Sequence, residues 1–133
     1  MDTVPTDLLE SLFKVIKQSP DVASIPIKMD FPQTGESLGL QKLPNEQIIS
    51  QDMMGYIQKS IGYELTYKTQ SNGIPLLRKV AVFLSENFDK IQSLNGSFTL
   101  LTDPQLTEPE MNAMDNDYRY YAFDIAVEIE TNY

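Results

Sequence analysis

The 133-residue chain has no cysteine, no histidine and no tryptophan, and it sets ten Lys and Arg against nineteen Asp and Glu, for a formal net charge of −9. Without thiols or imidazoles there can be no Cys or His nucleophile, no Ser-His-Asp triad and no zinc site built on N or S ligands. Only carboxylate, Tyr, Lys or Ser chemistry remains. The shortage of positive charge argues against binding to nucleic acid phosphates or anionic lipid, both of which need clustered cations to release counterions. No apolar run approaches the ~20 residues that span a bilayer, and Met1-Asp2-Thr3-Val4-Pro5 lacks the basic lead-in of a secretory signal. The expectation is a soluble protein made in a cytoplasm, without a membrane partner or a cofactor. At this length one domain, residues 1–133, buries about 65–70% of the surface its unfolded chain exposes, enough for a core without metal or disulfide.

The charge is unevenly spread. Residues 1–90 hold eleven acids and nine bases, whereas residues 91–133 hold eight acids and the single base Arg119. Asp103, Glu108, Glu110, Asp115 and Asp117 crowd into 102–117 with two prolines and no base. Such a stretch reads as a mobile acidic loop, or as a segment that orders on a partner with Leu106, Met111 and Met114 as anchors.

Leu8, Leu9, Leu12, Phe13 and Ile16 form one apolar stripe at helical spacing, with Thr6 or Asp7 as the cap and Lys14 and Lys17 toward the end. Ala23, Ile25, Ile27, Met29 and Phe31 alternate with polar residues and predict an edge strand with one buried face, since Pro26 removes a ladder donor. A turn over 32–35 then leads to a strand through Leu38, Leu40 and Leu43 that pairs back as a hairpin. Residues 44–55 have adjacent apolar pairs without a period and read as a connecting excursion. The clearest alternation follows, over 57–68; at ~3.3 Å per residue it would run about 40 Å, with one end protruding beyond the core. Pro75 starts a second helix bearing Leu76, Leu77, Val80, Ala81, Phe83, Leu84 and Phe88, expected to be the most buried one. A short strand through Phe98 and Leu100 and a long one through Tyr121, Phe123, Ile125, Val127 and Ile129 complete the order α-β-β-β-α-β-β. The fold class is α+β, an antiparallel or mixed sheet with two helices on one face. No internal repeat is evident.

Three patterns mislead. Gly35-Glu36-Ser37-Leu38-Gly39 fits a nucleophile elbow, but there is no histidine to deprotonate Ser37, and the segment joins two strands. Ser11 and Lys14 match S-x-x-K, yet both lie off the apolar stripe and read as a solvated helix face. Asp115-Asn116-Asp117 matches the start of a calcium loop, but Tyr120 stands where glycine is needed and Ala126 where an acid is needed. No catalytic or metal site is expected. Tyr118 and Tyr120 fall in the polar register of the last strand, as strand formers or as interface anchors; Met53, Met54 and Tyr56 pose the same choice.

The element order, with the Asp7-Leu8-Leu9-x-x-Leu12 helix, the Tyr63-Glu64-Leu65-Thr66-Tyr67-Lys68 strand leading to Leu76-Leu77, and the Asp117-Tyr118-Arg119-Tyr120-Tyr121 lead into the closing strand, resembles the tail terminator (tail completion) proteins of long-tailed bacteriophages, often labelled minor capsid proteins. The resemblance implies a structural protein of the virion tail or neck, assembled in the bacterial host cytoplasm and without catalytic residues. It implies a six-membered ring of identical subunits that caps the tail tube and docks to the head, with the tail tube protein and head-tail connector proteins as partners. DNA would pass through the ring without specific binding, and the acidic residues of 102–117 would line the lumen and repel it. Two alternatives stay open: another neck or connector protein of the same particle, and an acidic decoy that imitates DNA to inhibit a DNA-handling enzyme. A carboxylate enzyme would need two acids in a cleft, which a one-sheet domain scarcely offers.

Overall fold

A computed structural model describes residues 7–32, 34–115 and 117–132. Helix α1 (Leu8–Lys17) is followed by a single 3-10 turn (Pro20–Val22) and strands β1 (Ile27–Lys28), β2 (Ser37–Lys42), β3 (Gln47–Gln51) and β4 (Tyr56–Thr69). Helix α2 (Ile74–Glu86) is likewise followed by a 3-10 turn (Phe88–Lys90) and four strands, β5 (Thr99–Leu100), β6 (Gln105–Leu106), β7 (Glu110–Met114) and β8 (Arg119–Asn132). The sequence shows no repeat, yet the structure has one: each half runs helix, 3-10 turn, two strands, a five-residue strand and a fourteen-residue strand. Glu110, which opens β7, follows Gln47, which opens β3, by 63 residues.

The halves meet where β4 and β8 pair antiparallel, from Tyr56 opposite Asn132 to Thr69 opposite Arg119. The outer edge of β4 carries β2 and β3, and the outer edge of β8 carries β5, β6 and β7. Loops fill gaps in these edges, since Leu43 N–H donates to Gly62 O at 2.8 Å and Asn45 Oδ1 accepts from Gly62 N–H at 3.1 Å. On the other side Leu101 N–H donates to Glu128 O and Thr107 N–H to Asp124 O. The long strand β4 therefore does not project alone, as its length had suggested; β3 doubles it into a hairpin. All pairings are antiparallel except β1 with β2. The expected hairpin between those two strands is thus replaced by a parallel contact.

Alternation sorts the residues of β4 and β8 onto two faces. Ile61, Tyr63, Leu65 and Tyr67, with Tyr121, Phe123, Ile125, Val127 and Ile129, point to the side covered by both helices and form the core with Leu8, Leu12, Val15, Ile16, Leu77, Val80 and Leu84. Each such side chain contributes about 1.5–3 kcal/mol by leaving water. Helix α1, not α2, is the more buried, with five buried residues against three, because α2 leaves Val82 55% exposed on its outer side. Ser11 belongs to that buried set, its hydroxyl donating to Gln92 O at 2.8 Å, so this side of the helix is not solvated as expected.

The strand expected over 23–31 shrinks to two residues. Ile25 and Ile27 pack on the core, but Met29 and Phe31 are each 46% exposed. Residues 29–32 instead cross the uncovered face of the sheet, so close to Gly39 that a Cβ there would lie 2.1 Å from Asp30 O. Phe31 then stacks on Tyr120 with ring centroids 5.5 Å apart.

Asp7 stands at the start of α1 without a side-chain capping bond. Its carboxylate accepts instead from Ser93 Oγ (2.7 Å), Ser97 Oγ (3.1 Å) and the N–H groups of Leu94 (2.6 Å) and Asn95 (3.2 Å), tying the first half to a loop of the second. Partial burial raises its pKa, but these hydrogen bonds outweigh that and hold it below the ordinary carboxylate value. Thr6, the other cap considered, Gln33 of the turn at 32–35 and Asn116 of the calcium-like run lie outside the described residues.

Candidate functional site

The catalytic-looking patterns gain no chemistry from the fold. Ser37 is buried at the start of β2, its hydroxyl donating to Gly35 O at 3.2 Å, with no helix following it. Lys14 is exposed on α1. Among the described residues no group of three or more acids is placed to hold a metal ion. No helix in them is long and apolar enough to cross a membrane. A depression of about 380 Å³ lies beside α2, lined by Pro20, Arg78, Lys79, Val82, Phe83 and Glu86. It is an open apolar shelf with a charged rim.

Interaction surfaces are more distinctive. The excursion at 44–55 contains β3, and its tip, turned by Gly55 at φ +92°, carries Met53 (102% exposed), Met54 (81%) and Tyr56. Asp52 Oδ1 accepts from the N–H groups of Met54 and Tyr56, which rigidifies the turn and forces the two methionines outward. At the base of this arm Glu46 joins Lys42 at 2.8 Å and Lys59 at 3.5 Å; the hydrogen bond from Lys42 is the main cause of its lowered pKa. All five residues of β3 are exposed, Ile48 and Ile49 among them.

The acidic segment at 102–117 is not loop throughout, for it holds β6 and β7. Leu106 on β6 packs against the core and is no free anchor. Met111 and Met114 on β7 are exposed, on a second five-residue strand that is exposed along its whole length. Tyr118 and Tyr120 are drawn together by Lys68, whose ammonium sits 4.6 Å and 5.9 Å from their ring centroids. Tyr120 also stacks on Phe31, so this ring helps hold residues 29–32 to the sheet.

The acids divide. Glu108 turns toward α2 and lies 3.5 Å from Arg78, so this segment does meet positive charge. Asp103, Asp115 and Asp117 are exposed between strands, Asp115 N–H donating to Tyr118 O between β7 and β8. Glu110 stands opposite Ala122 and shares the uncovered sheet face with Glu64, Asp124, Glu128 and Glu130. Between Gln58 and Thr66 on β4, and between Ala122 and Glu130 on β8, that face has no basic residue. Glu64 and Asp124 are direct neighbours across the strands. Burial, then the Asp124 charge and a hydrogen bond shared with it, raise the pKa of Glu64 above the ordinary carboxylate value. Sequence counting located acidity in a segment; the period-two register of β4 and β8 was the signal that would have revealed this acidic face.

No family model matches the chain, and no curated protein matches it in sequence. Its fold is similar to that of a chain in a structure described as the virion of a native gene transfer agent (GTA) particle, with a TM-score of 0.59 and 12% sequence identity over 92% of this chain and 94% of that one. At this identity the likeness is one of fold. It covers both halves of the molecule.

Proposed function

We propose that the chain is a structural protein of a phage-like virion, acting as the tail terminator: a ring of identical subunits, six in number, that caps the tail tube and offers the attachment face for the head. The observation that carries this reading is a likeness of fold, over 92% of this chain and 94% of the other, to a chain of a gene transfer agent virion. The surface agrees with it, because two strands exposed along their whole length and a methionine knob offer contacts to other proteins. In the ring, the uncovered face with Glu64, Asp124, Glu128, Glu130 and Glu110 lines the passage, joined at its margins by Asp103, Asp115 and Asp117. DNA then meets like charge and slides. Deleting the gene from the particle that encodes it is expected to give over-long tails without heads, seen by electron microscopy; particles of normal form overturn the reading.

A second reading is favoured by one observation. The acids of β4 and β8 lie along one extended face, as a decoy for a DNA-handling enzyme requires. Such a decoy would inhibit a nuclease or polymerase while monomeric, and a ring without inhibitory activity excludes it.

A further inference from the structure

Resting on the reading that copies of this chain join in a ring, we infer that the joint is made by two strand edges, β3 of one copy lying beside β7 of the next. Six segments pair along the outer edges of β4 and β8 or beyond β2; three of them, β1, β5 and β6, are two residues long, and a fourth, β2, has β1 along its other side. Short edge strands give a neighbour little to pair with. The two five-residue strands differ from them: each pairs on one side only, β3 with β4 and β7 with β8. Neither contains Pro or Lys, the residues that usually block an edge.

The molecule itself supplies a matching strand. An open edge presents backbone N–H and C=O groups at strand spacing, and another extended backbone matches them. β3 and β7 occupy the same place in the two halves, each paired to the start of its half's long strand, five residues long and bulged near its centre, between Ile48 and Ser50 in one and between Met111 and Ala113 in the other. Their side chains also agree by face. Ile48 opposite Lys59, and Met111 and Met114 opposite Tyr121 and Arg119, lie on the helix side; Gln47, Ser50, Glu110 and Ala113 lie on the other. Set side by side, the strands continue one sheet with apolar residues meeting apolar residues and polar meeting polar. The two edges lie on opposite sides of the sheet, so the contact is head-to-tail and each copy keeps one edge free for the next, as a ring requires. The acidic face then continues from copy to copy on one side of the joined sheet.

The absence of cysteine makes the joint directly testable. Ile49→Cys and Asn112→Cys mark the centres of the two strands, which face one another whichever way the strands run, at the ~4.8 Å strand spacing and within disulfide reach. Both variants are purified, mixed in equal amounts and oxidised, with each alone as a control. The expected result is a mixed dimer, separable by a size tag on one variant, at least five-fold above either like-with-like dimer. A second measurement uses Ile48→Lys and Met111→Lys, exposed changes that leave the subunit folded by circular dichroism; each is expected to shift the protein to monomers in light scattering. Rings that persist in both Lys variants, or oxidation that gives like-with-like dimers only, overturn the joint and leave the ring reading standing. Wild-type protein that stays monomeric at its highest soluble concentration and yields no mixed dimer overturns both this joint and self-assembly in solution, whereas the tail phenotype tests the terminator role separately.

Discussion

The two halves of the molecule have one plan and different charge. Residues 1–69, which include α1 and β1 to β4, carry nine acids and six bases; residues 70–133, which include α2 and β5 to β8, carry ten acids and four bases. The halves agree in what faces the helices and diverge in what faces solvent. A fold is held by its inward register, and the outward one is left for function. The two differ in packing as well, since the first half lays residues 29–32 across the sheet at Gly39 on the six-residue β2, while β5 and β6 of the second half are two residues each.

The largest test of this comparison falls on its seam. Leu65 and Phe123 stand opposite one another in β4 and β8 and are 0% and 1% exposed. Leu65→Ala and Phe123→Ala are each expected to cost about 3–5 kcal/mol, with the double variant losing less than the sum because both open one cavity. Urea denaturation measures this, and simple additivity would show that the halves are packed independently. A smaller effect is expected at the strap. Gly39→Ala forces Asp30 and Pro32 away from β2 and should cost about 1–3 kcal/mol, while Thr99→Ala on the opposite edge costs under about 0.5 kcal/mol.

The clamp between halves comes next. Asp7→Asn weakens four hydrogen bonds to a partly exposed carboxylate and is expected to cost about 1–2 kcal/mol at neutral pH. Because the folded carboxyl ionises below its ordinary value, its contribution is complete above the ordinary carboxylate range and is lost as pH falls through the lowered value. The stability difference between wild type and variant should therefore vanish in acid; a difference independent of pH would assign the loss to packing. The smallest effect has the opposite sign. Glu64 faces Asp124 across the seam with a raised pKa, so its penalty is present at neutral pH and disappears as pH falls through the raised value. Glu64→Gln is expected to stabilise the protein by about 0.5 kcal/mol at neutral pH, measured by the denaturation midpoint, and to give no gain in acid.

The fold class and both long strands were legible because strict alternation over 57–68 and 121–129 reports one buried face directly. The same signal misled at 23–31, where Met29 and Phe31 keep the period but belong to the strap. β3 was illegible for a local reason: the bulge at Ile49 sets Ile48 and Ile49 side by side and erases the period, and the bulge between Met111 and Ala113 hides β7 within an acidic, proline-bounded segment. Met53, Met54, Met111 and Met114 were picked out by composition alone and do lie exposed, whereas Leu106 was not separable from them without knowing that β6 turns it inward. The acidic face escaped notice because its members come from three strands far apart in sequence. The repeat escaped because it is carried by element order and not by shared residues.

The place of β8 bears on how the protein is made. β8 follows every other strand along the chain, yet it lies at the middle of the sheet, and β5, β6 and β7 rest on it alone. A nascent chain that has emerged only as far as α2 leaves one edge of β4 bare, and β7 has nothing to lie against until β8 is translated. The β7 edge thus comes into being only once β8 is in place, and a chain cut short before β8 has no backbone partner for β5, β6 or β7.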